Sequence, residues 1–285
     1  MNARIRNEYL GLLVNWAMAN NIPAKILPRD KESLMKLKNL DLSNLGITSL
    51  PTYLIMLPSL IRLNVSNNPI SNFHTADISW KFDNLKYLYI SGTLIKDFTG
   101  ILEAAPKLRI LDISNSLISS IPLAVNTLLN LRGLKCTHCN ITAISALIIK
   151  HSKLRYLDIS YTGVTAIPNS LYTLHKLENL IINGLQLTDI DNAISRLTKL
   201  KYLSCQDNHL TELPLEIFTL VHLHTINVAN NKLEKLGHSI GSLANLQHLN
   251  LSDNRLHGLP TSVQILPKLK IMRTARNCVP LPEMI

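Results

Sequence analysis

Cys136-Thr137-His138-Cys139 is the stretch of this chain whose residue types most plainly invite chemistry. A C-x-x-C spacing suits a redox dithiol or half of a zinc site, and an imidazole between the thiols adds to either reading. Asp112, Lys135 and Asp158 recur at a fixed interval and offer two carboxylates for acid/base work. His222, His224 and His248 supply three imidazoles for a metal. Asn64-Val65-Ser66, Asn140-Ile141-Thr142 and Asn250-Leu251-Ser252 match the glycosylation sequon. None of these signals decides anything until the elements that position the residues are known.

Those elements follow one period. L-x-x-L-x-L, three more residues and then an aliphatic two positions later recur as LKNLDLSNLGI from Leu37, LRILDISNSLI from Leu108 and LKYLSCQDNHL from Leu200. The starts are residues 37, 60, 85, 108, 131, 154, 177, 200, 223, 246 and 269, each 23 after the last except Leu85, which follows by 25. The second half of many repeats begins with an aliphatic-Pro pair, as at Leu50-Pro51, Ile121-Pro122, Ile167-Pro168, Leu213-Pro214 and Leu259-Pro260. Alternation in x-L-x-L-x predicts a short strand with its Leu side chains inward. Proline cannot donate to a ladder, so the chain leaves strand structure at the fifteenth position. One repeat cannot bury its own apolar face, whereas stacked repeats share a core.

This pattern resembles the leucine-rich-repeat family, over residues 37–279, and is similar to the short 23-residue class of bacterial effectors and Ras-group intracellular scaffolds. The resemblance implies an α/β solenoid: a leucine-rich-repeat horseshoe with a parallel concave sheet of about 11 strands and short helical or 3-10 turns on the convex side. Residues 1–36 are expected to form an N-terminal helical cap, with 280–285 a short C-terminal end. Leu10, Leu13, Val14 and Ala17 make the stripe of an amphipathic helix. The alternative for that segment is a signal peptide cut near Ala17-Met18-Ala19, against which stand Glu8 before the apolar run and Asn15 within it. The C-terminal end is thin, since Met272 and Thr274 replace the aliphatic pair. A frayed last strand, a covering partner or further chain would each answer that. Trp80 and Phe82 fall in the longer repeat and are expected to fill a convex bulge.

The phase disposes of most of the chemistry. Cys136 holds the sixth position, where other repeats carry Leu42 or Val65, and Cys139 the ninth, where Asn68 or Asn208 stands. Both are expected in the core, away from His138, without redox or zinc work. Amide hydrogen bonds from ninth-position Asn should link neighbouring loops, so Leu45 and Leu185 predict weaker joints, with a soft one near Leu185. The three histidines lie on different faces, the sequons are products of the repeat, and no Gly-rich phosphate loop or triad is present. Lys135 between Asp112 and Asp158 favours two ionised carboxylates, hence a charge ladder or partner contact rather than an acid/base pair.

Positions three, five, seven and eight face the concave side. There Tyr87, Tyr89, Ile110, Tyr156, Tyr161, Ile181 and Tyr202 join Asp112, Lys135 and Asp158 as the expected partner-binding patch. Cross-strand packing is the competing reason for the aromatics. Positions twenty-three and two collect a basic rim that includes Lys107, Arg109, Arg132, Lys153, Arg155, Lys199 and Lys201, with Glu178 the acidic exception. The rim accounts for much of the net charge of +10. It keeps a surface solvated and can steer an acidic protein; nucleic acid is disfavoured because the aromatics are not interleaved with the rim cations.

The 285 residues are 46% hydrophobic, contain four Cys, and hold no apolar run of membrane-spanning length. No cofactor, metal or catalytic residue is assigned. The resemblance implies a non-catalytic binding protein, monomeric or in a hetero-complex. It would be cytoplasmic, or secreted into a host cell as a bacterial effector that covers a partner enzyme's active site. An adaptor in a signalling or ubiquitin complex is the alternative.

Overall fold

A computed structural model describes residues 3–72, 81–145, 148 and 150–282. Trp80 lies outside the described residues. Two compact units divide the chain, Met1–Asn140 and Ile141–Ile285.

The first unit opens with helix α1, Ala3–Ala19. Of its stripe, Leu10, Leu13 and Ala17 are buried and Val14 is half-buried, and Tyr9 stacks on Tyr53 at 6.4 Å between ring centroids. Helix α2, Lys31–Lys36, starts at Asp30, whose carboxylate accepts the Ser33 N–H at 2.8 Å. Five strands follow: β1 Asn39–Asp41, β2 Arg62–Asn64, β3 Tyr87–Tyr89, β4 Ile110–Asp112 and β5 Gly133–Lys135. Each pairs in parallel with the next, in register at equivalent positions of the period. Helix α3, Thr99–Ala104, and 3-10 turns at Thr52–Met56 and Leu123–Thr127 carry the chain back. Phe82 is buried.

The second unit holds β6 Tyr156–Asp158, β7 Asn179–Ile181, β8 Tyr202–Ser204, β9 Thr225–Asn227, β10 His248–Asn250 and β11 Ile271–Arg273. Its pairings are again parallel and in register. Repeat eleven does form its strand, and Thr274 Oγ donates to the Pro282 carbonyl at 3.0 Å, which ties the tail to it.

In both units the middle residue of every strand is buried, from Leu40 to Met272, and the sixth-position aliphatics lie beside them. The prolines work as expected and add something: Pro51, Pro122, Pro214 and Pro260 precede 3-10 turns with φ preset near the turn value. Their carbonyls accept the first turn's N–H, as Val125 to Pro122 at 2.9 Å.

The eighth position of every repeat has positive φ: Asn44, Asn67, Gly92, Asn115, His138, Tyr161, Gly184, Asp207, Asn230, Asp253 and Arg276. The chain turns there from the strand toward the return segment. Asn, Asp and Gly enter this region with little strain; Tyr161 and Arg276 do not.

The ninth position links loops as anticipated, but unevenly. Asn208 Oδ1 accepts the Leu185 and Leu187 N–H groups, both at 3.0 Å, while its Nδ2 donates to the Ile182 and Cys205 carbonyls, both at 2.9 Å. Asn68 does the same for Leu45 and Ile47. Asn231, Asn254 and Asn277 each accept one such N–H instead. The two repeats with Leu at the ninth position carry a second left-handed residue just after it, Gly46 at φ 68° and Gln186 at φ 59°. That twist turns both N–H groups onto the next repeat's amide, so Leu185 is well held on its C-terminal side. The gap lies on the other side. Thr162 Oγ donates only within its own repeat, to Ile159, and Leu185 offers nothing to the Thr162 and Val164 amides. Thr93 and Ser116 likewise bond their own repeat's carbonyls.

Candidate functional site

The strand geometry puts positions three and five on the face opposite the core. Tyr87, Tyr89, Ile110, Asp112 and Lys135 are half-buried on that face of the first unit; Tyr156, Ile181 and Tyr202 are half-buried on that of the second. Tyr87 and Ile110 are cross-strand partners, whereas Asn179 stands in register between Tyr156 and Tyr202.

In the first unit Arg62 on β2 lies over both tyrosines of β3, 5.0 Å from the Tyr87 centroid and 5.6 Å from that of Tyr89. Arg62 stands at the third position in register with Tyr87, and the sequence reasoning left it out of the patch. Its signal was the register itself. Neither tyrosine hydroxyl donates to a described residue, and Ile110 sits in register with Tyr87 on the other side. The result is an apolar and aromatic surface with a guanidinium at one edge, each contact contributing about 0.5–1 kcal/mol where exposed.

The second unit spends its aromatics differently. Asp158 is only 7% exposed, so the expected solvated charge ladder does not reach it. Its carboxylate accepts from the Ser160 N–H at 3.1 Å, Ser160 Oγ at 2.7 Å and the Tyr156 hydroxyl at 3.3 Å. Fifth-position Asp and Asn share this duty across the chain. Asp41, Asn64, Asp112, Asn227 and Asn250 each accept the N–H two residues on. In three repeats whose fifth position does not accept, the preceding repeat's seventh side chain does. Ser114 Oγ takes the Thr137 N–H and Ser160 Oγ the Asn183 N–H, both at 3.1 Å. Asp112 and Asp158 are therefore turn-holding groups before they are anything else.

Tyr161 is 39% exposed, but its hydroxyl donates to Asp207 Oδ2 at 2.5 Å, two repeats away. The ring passes over Gly184, where a Cβ would meet Tyr161 Cδ1 at 2.3 Å. Asp207 also takes Asn230 Nδ2 at 2.8 Å, so eighth-position side chains form a strut along the unit. That hydrogen bond to Asp207 holds the Tyr161 hydroxyl above the ordinary phenol range.

The rim is not uniform. Glu178 binds Arg155 at 2.7 Å and Lys201 at 2.8 Å; the Lys201 hydrogen bond comes first among the causes that keep its carboxyl below the usual range. Lys199 and Lys153 are exposed in the same unit. In the first unit Lys107 gives its ammonium to the Asp83 carbonyl at 2.6 Å, and Arg109 and Arg132 each immediately precede a strand and meet no described carboxylate.

The remaining chemistry is buried or dispersed. Cys136 and Cys139 lie in the core, and Cys139 Sγ donates toward the Ile113 carbonyl at 3.4 Å. His138 is exposed at the turn. Burial pushes the Cys205 thiol up to about 12. Among the described residues no group of three or more His, Cys, Asp or Glu is placed to hold a metal, and no described helix is long and apolar enough to cross a membrane.

A model of the leucine-rich repeat region matches residues 190–279. The solved structure of a Leptospira interrogans leucine-rich-repeat protein superimposes with a TM-score of 0.80 at 27% identity, over 86% of this chain and 62% of that one. The chain is thus similar to the leucine-rich-repeat family in its fold and over the matched residues. Its fold is the α/β solenoid of that family. A leucine-rich-repeat protein of Acanthamoeba polyphaga mimivirus is 34% identical over 129 residues, which span 45% of this chain and only 27% of that relative. The Arabidopsis receptor kinase HAESA, solved with the peptide hormone IDA and the co-receptor SERK1, matches with a TM-score of 0.71 at 26% identity, over 88% of this chain and 47% of the receptor.

Proposed function

We propose that this leucine-rich-repeat protein is a non-catalytic binding module that takes a protein partner on the open sheet face. Its anchor is the Arg62, Tyr87, Tyr89 and Ile110 surface of the first unit. The observation that carries the reading is the pair of tyrosines under one guanidinium, with hydroxyls that no described residue takes up. Tyr and Arg dominate binding hot spots because they bury large area with few torsions and keep a polar handle. Tyr156 and Tyr161, by contrast, spend their hydroxyls on Asp158 and Asp207, so the second unit contributes Ile181 and Tyr202 instead. Lys107, Arg109 and Arg132 favour an acidic partner by steering it. HAESA, a neighbour of the same fold, was solved with a peptide and a protein bound.

The finer form of the proposal is that the module covers the active-site mouth of a partner enzyme, as an effector passed into a host cell. The Leptospira neighbour agrees with a bacterial source, whereas the mimivirus relative points to a wider distribution.

The experiment is capture from a host lysate with wild type, Tyr87→Ala/Tyr89→Ala and Tyr161→Phe side by side, with captured proteins identified by mass. A protein held by wild type and Tyr161→Phe and lost by the double variant supports the anchor. Equal capture by all three removes it. An enzyme among the captured proteins, inhibited on addition of the module, supports the finer form.

A further inference from the structure

A second polar site lies on the sheet face of the second unit, toward its C-terminal strands. A groove of about 190 Å³ runs over β8 to β11, lined by Tyr202, Thr225, Asn227, His248, Asn250 and Arg273. We propose that this groove receives a glutamate or aspartate side chain of a protein partner, gripped by Arg273 and Asn250. The inference rests on the protein-binding reading and names the chemistry of one contact.

Size speaks first. Small-molecule sites enclose roughly 300–1,000 Å³, and this groove has room for a single side chain. Its walls at Tyr202 and Ile271 suit an aliphatic stem.

The polar groups then fix the sign. Asn250 and Arg273 are register partners on adjacent strands, about 4.8 Å apart across the sheet. Asn250 Oδ1 accepts the Ser252 N–H at 3.2 Å, which leaves its NH₂ as the end presented to the groove. Asn227 one strand back has both ends committed, Oδ1 to the Ala229 N–H and Nδ2 to Gln206 Oε1 at 2.7 Å. The Arg273 guanidinium is exposed and meets no described carboxylate. His248 and Thr225, in register with each other, add a further ring nitrogen and hydroxyl.

No lining residue is acidic. The nearby eighth-position carboxylates are used elsewhere: Arg276 holds Asp253 through two nitrogens, and Tyr161 and Asn230 hold Asp207. The groove therefore offers a guanidinium and an amide NH₂ with no carboxylate in its lining. An Arg fork beside an amide NH₂ matches the two oxygens of a carboxylate. Arg273 stands at the fifth position, where Asp or Asn of other repeats holds the turn, so its charge does no such local work.

The test is an NMR titration of the ¹⁵N-labelled full chain, read at Arg273 Nε and the Asn250 side-chain amide. The probes are acetyl-Gly-Glu-Gly-amide, its Gln isostere, acetyl-Gly-Gly-Gly with a free carboxyl terminus, and inorganic phosphate. Saturable shifts with the Glu peptide, absent with Gln, are expected. Arg273→Met should weaken binding at least tenfold, while Lys270→Met, an exposed cation of the same repeat outside the groove, should leave it unchanged. Equal response to Gln, tighter binding of the free terminus or of phosphate, or indifference to Arg273→Met overturns the proposal. A groove blind to the Glu peptide in a protein that still captures its partner removes this inference alone; loss of capture with an intact groove response removes only the anchor reading.

Discussion

Tyr161 occupies the left-handed region at φ 54°, a position where most repeats use Asn, Asp or Gly. A bulky side chain there costs about 1–2 kcal/mol, and the bond to Asp207 with the ring over Gly184 offsets it. Gly184→Ala therefore meets two penalties, its own φ of +60° and the Tyr161 ring. The expected loss is about 2–4 kcal/mol in urea denaturation. In a Tyr161→Ala background the clash is gone and about 1 kcal/mol should remain; equal losses in both backgrounds would contradict the packing described. The same residue sets an alkaline limit. Its folded-state ionisation lies above the ordinary phenol range, so its contribution is present below pH 10.0 and lost as pH rises through the raised folded value. The Tyr161 Cζ resonance should titrate later than that of an exposed tyrosine, and Asp207→Asn should bring it back toward the ordinary range.

At the scale of elements, the loop ladder decides which joints are firm. Asn208 makes five bonds, two as acceptor and three as donor, all to backbone. Asn231 makes four. Asn208→Ala should cost about 3 kcal/mol, and Asn231→Ala about 1 kcal/mol less, since each buried bond contributes on the order of 1 kcal/mol. Hydrogen exchange offers an independent check. The Thr162 and Val164 amides face Leu185 and lack the acceptor that Leu185 and Leu187 find in Asn208. They should exchange at least tenfold faster than those two. Uniform protection across the four amides would show that the missing Asn has no consequence.

For the molecule as a whole, charge is distributed by unit. Glu178 pairs with both Arg155 and Lys201, whereas Lys107, Arg109 and Arg132 meet no described carboxylate. Arg109→Glu/Arg132→Glu should slow association with the captured partner several-fold at low salt and leave dissociation nearly unchanged. Arg155→Gln should do much less. A dissociation rate that rises instead would put these cations inside the interface rather than at its approach.

The sequence by itself determined the repeat, its phase, the parallel strands with Leu inward, the Pro-initiated turns and the core burial of Cys136 and Cys139. All of these depend on periodicity and burial, which a chain writes in every repeat. It also nominated the sheet face from residue size. What it could not divide was that face itself. Tyr87 and Tyr161 look alike in the sequence, yet one lies under Arg62 with its hydroxyl open and the other is tied to Asp207 across a glycine. Asp158 looked solvated and is buried by its own turn, and Leu185, expected to be a weak joint on both sides, lacks a link only toward the preceding repeat because a twist at Gln186 joins it to the next. These outcomes depend on which side chains of neighbouring repeats reach one another, 23 or 46 residues apart. Hydrogen bonds and ring contacts act over a few ångströms with strict direction, so only the tertiary structure decided them.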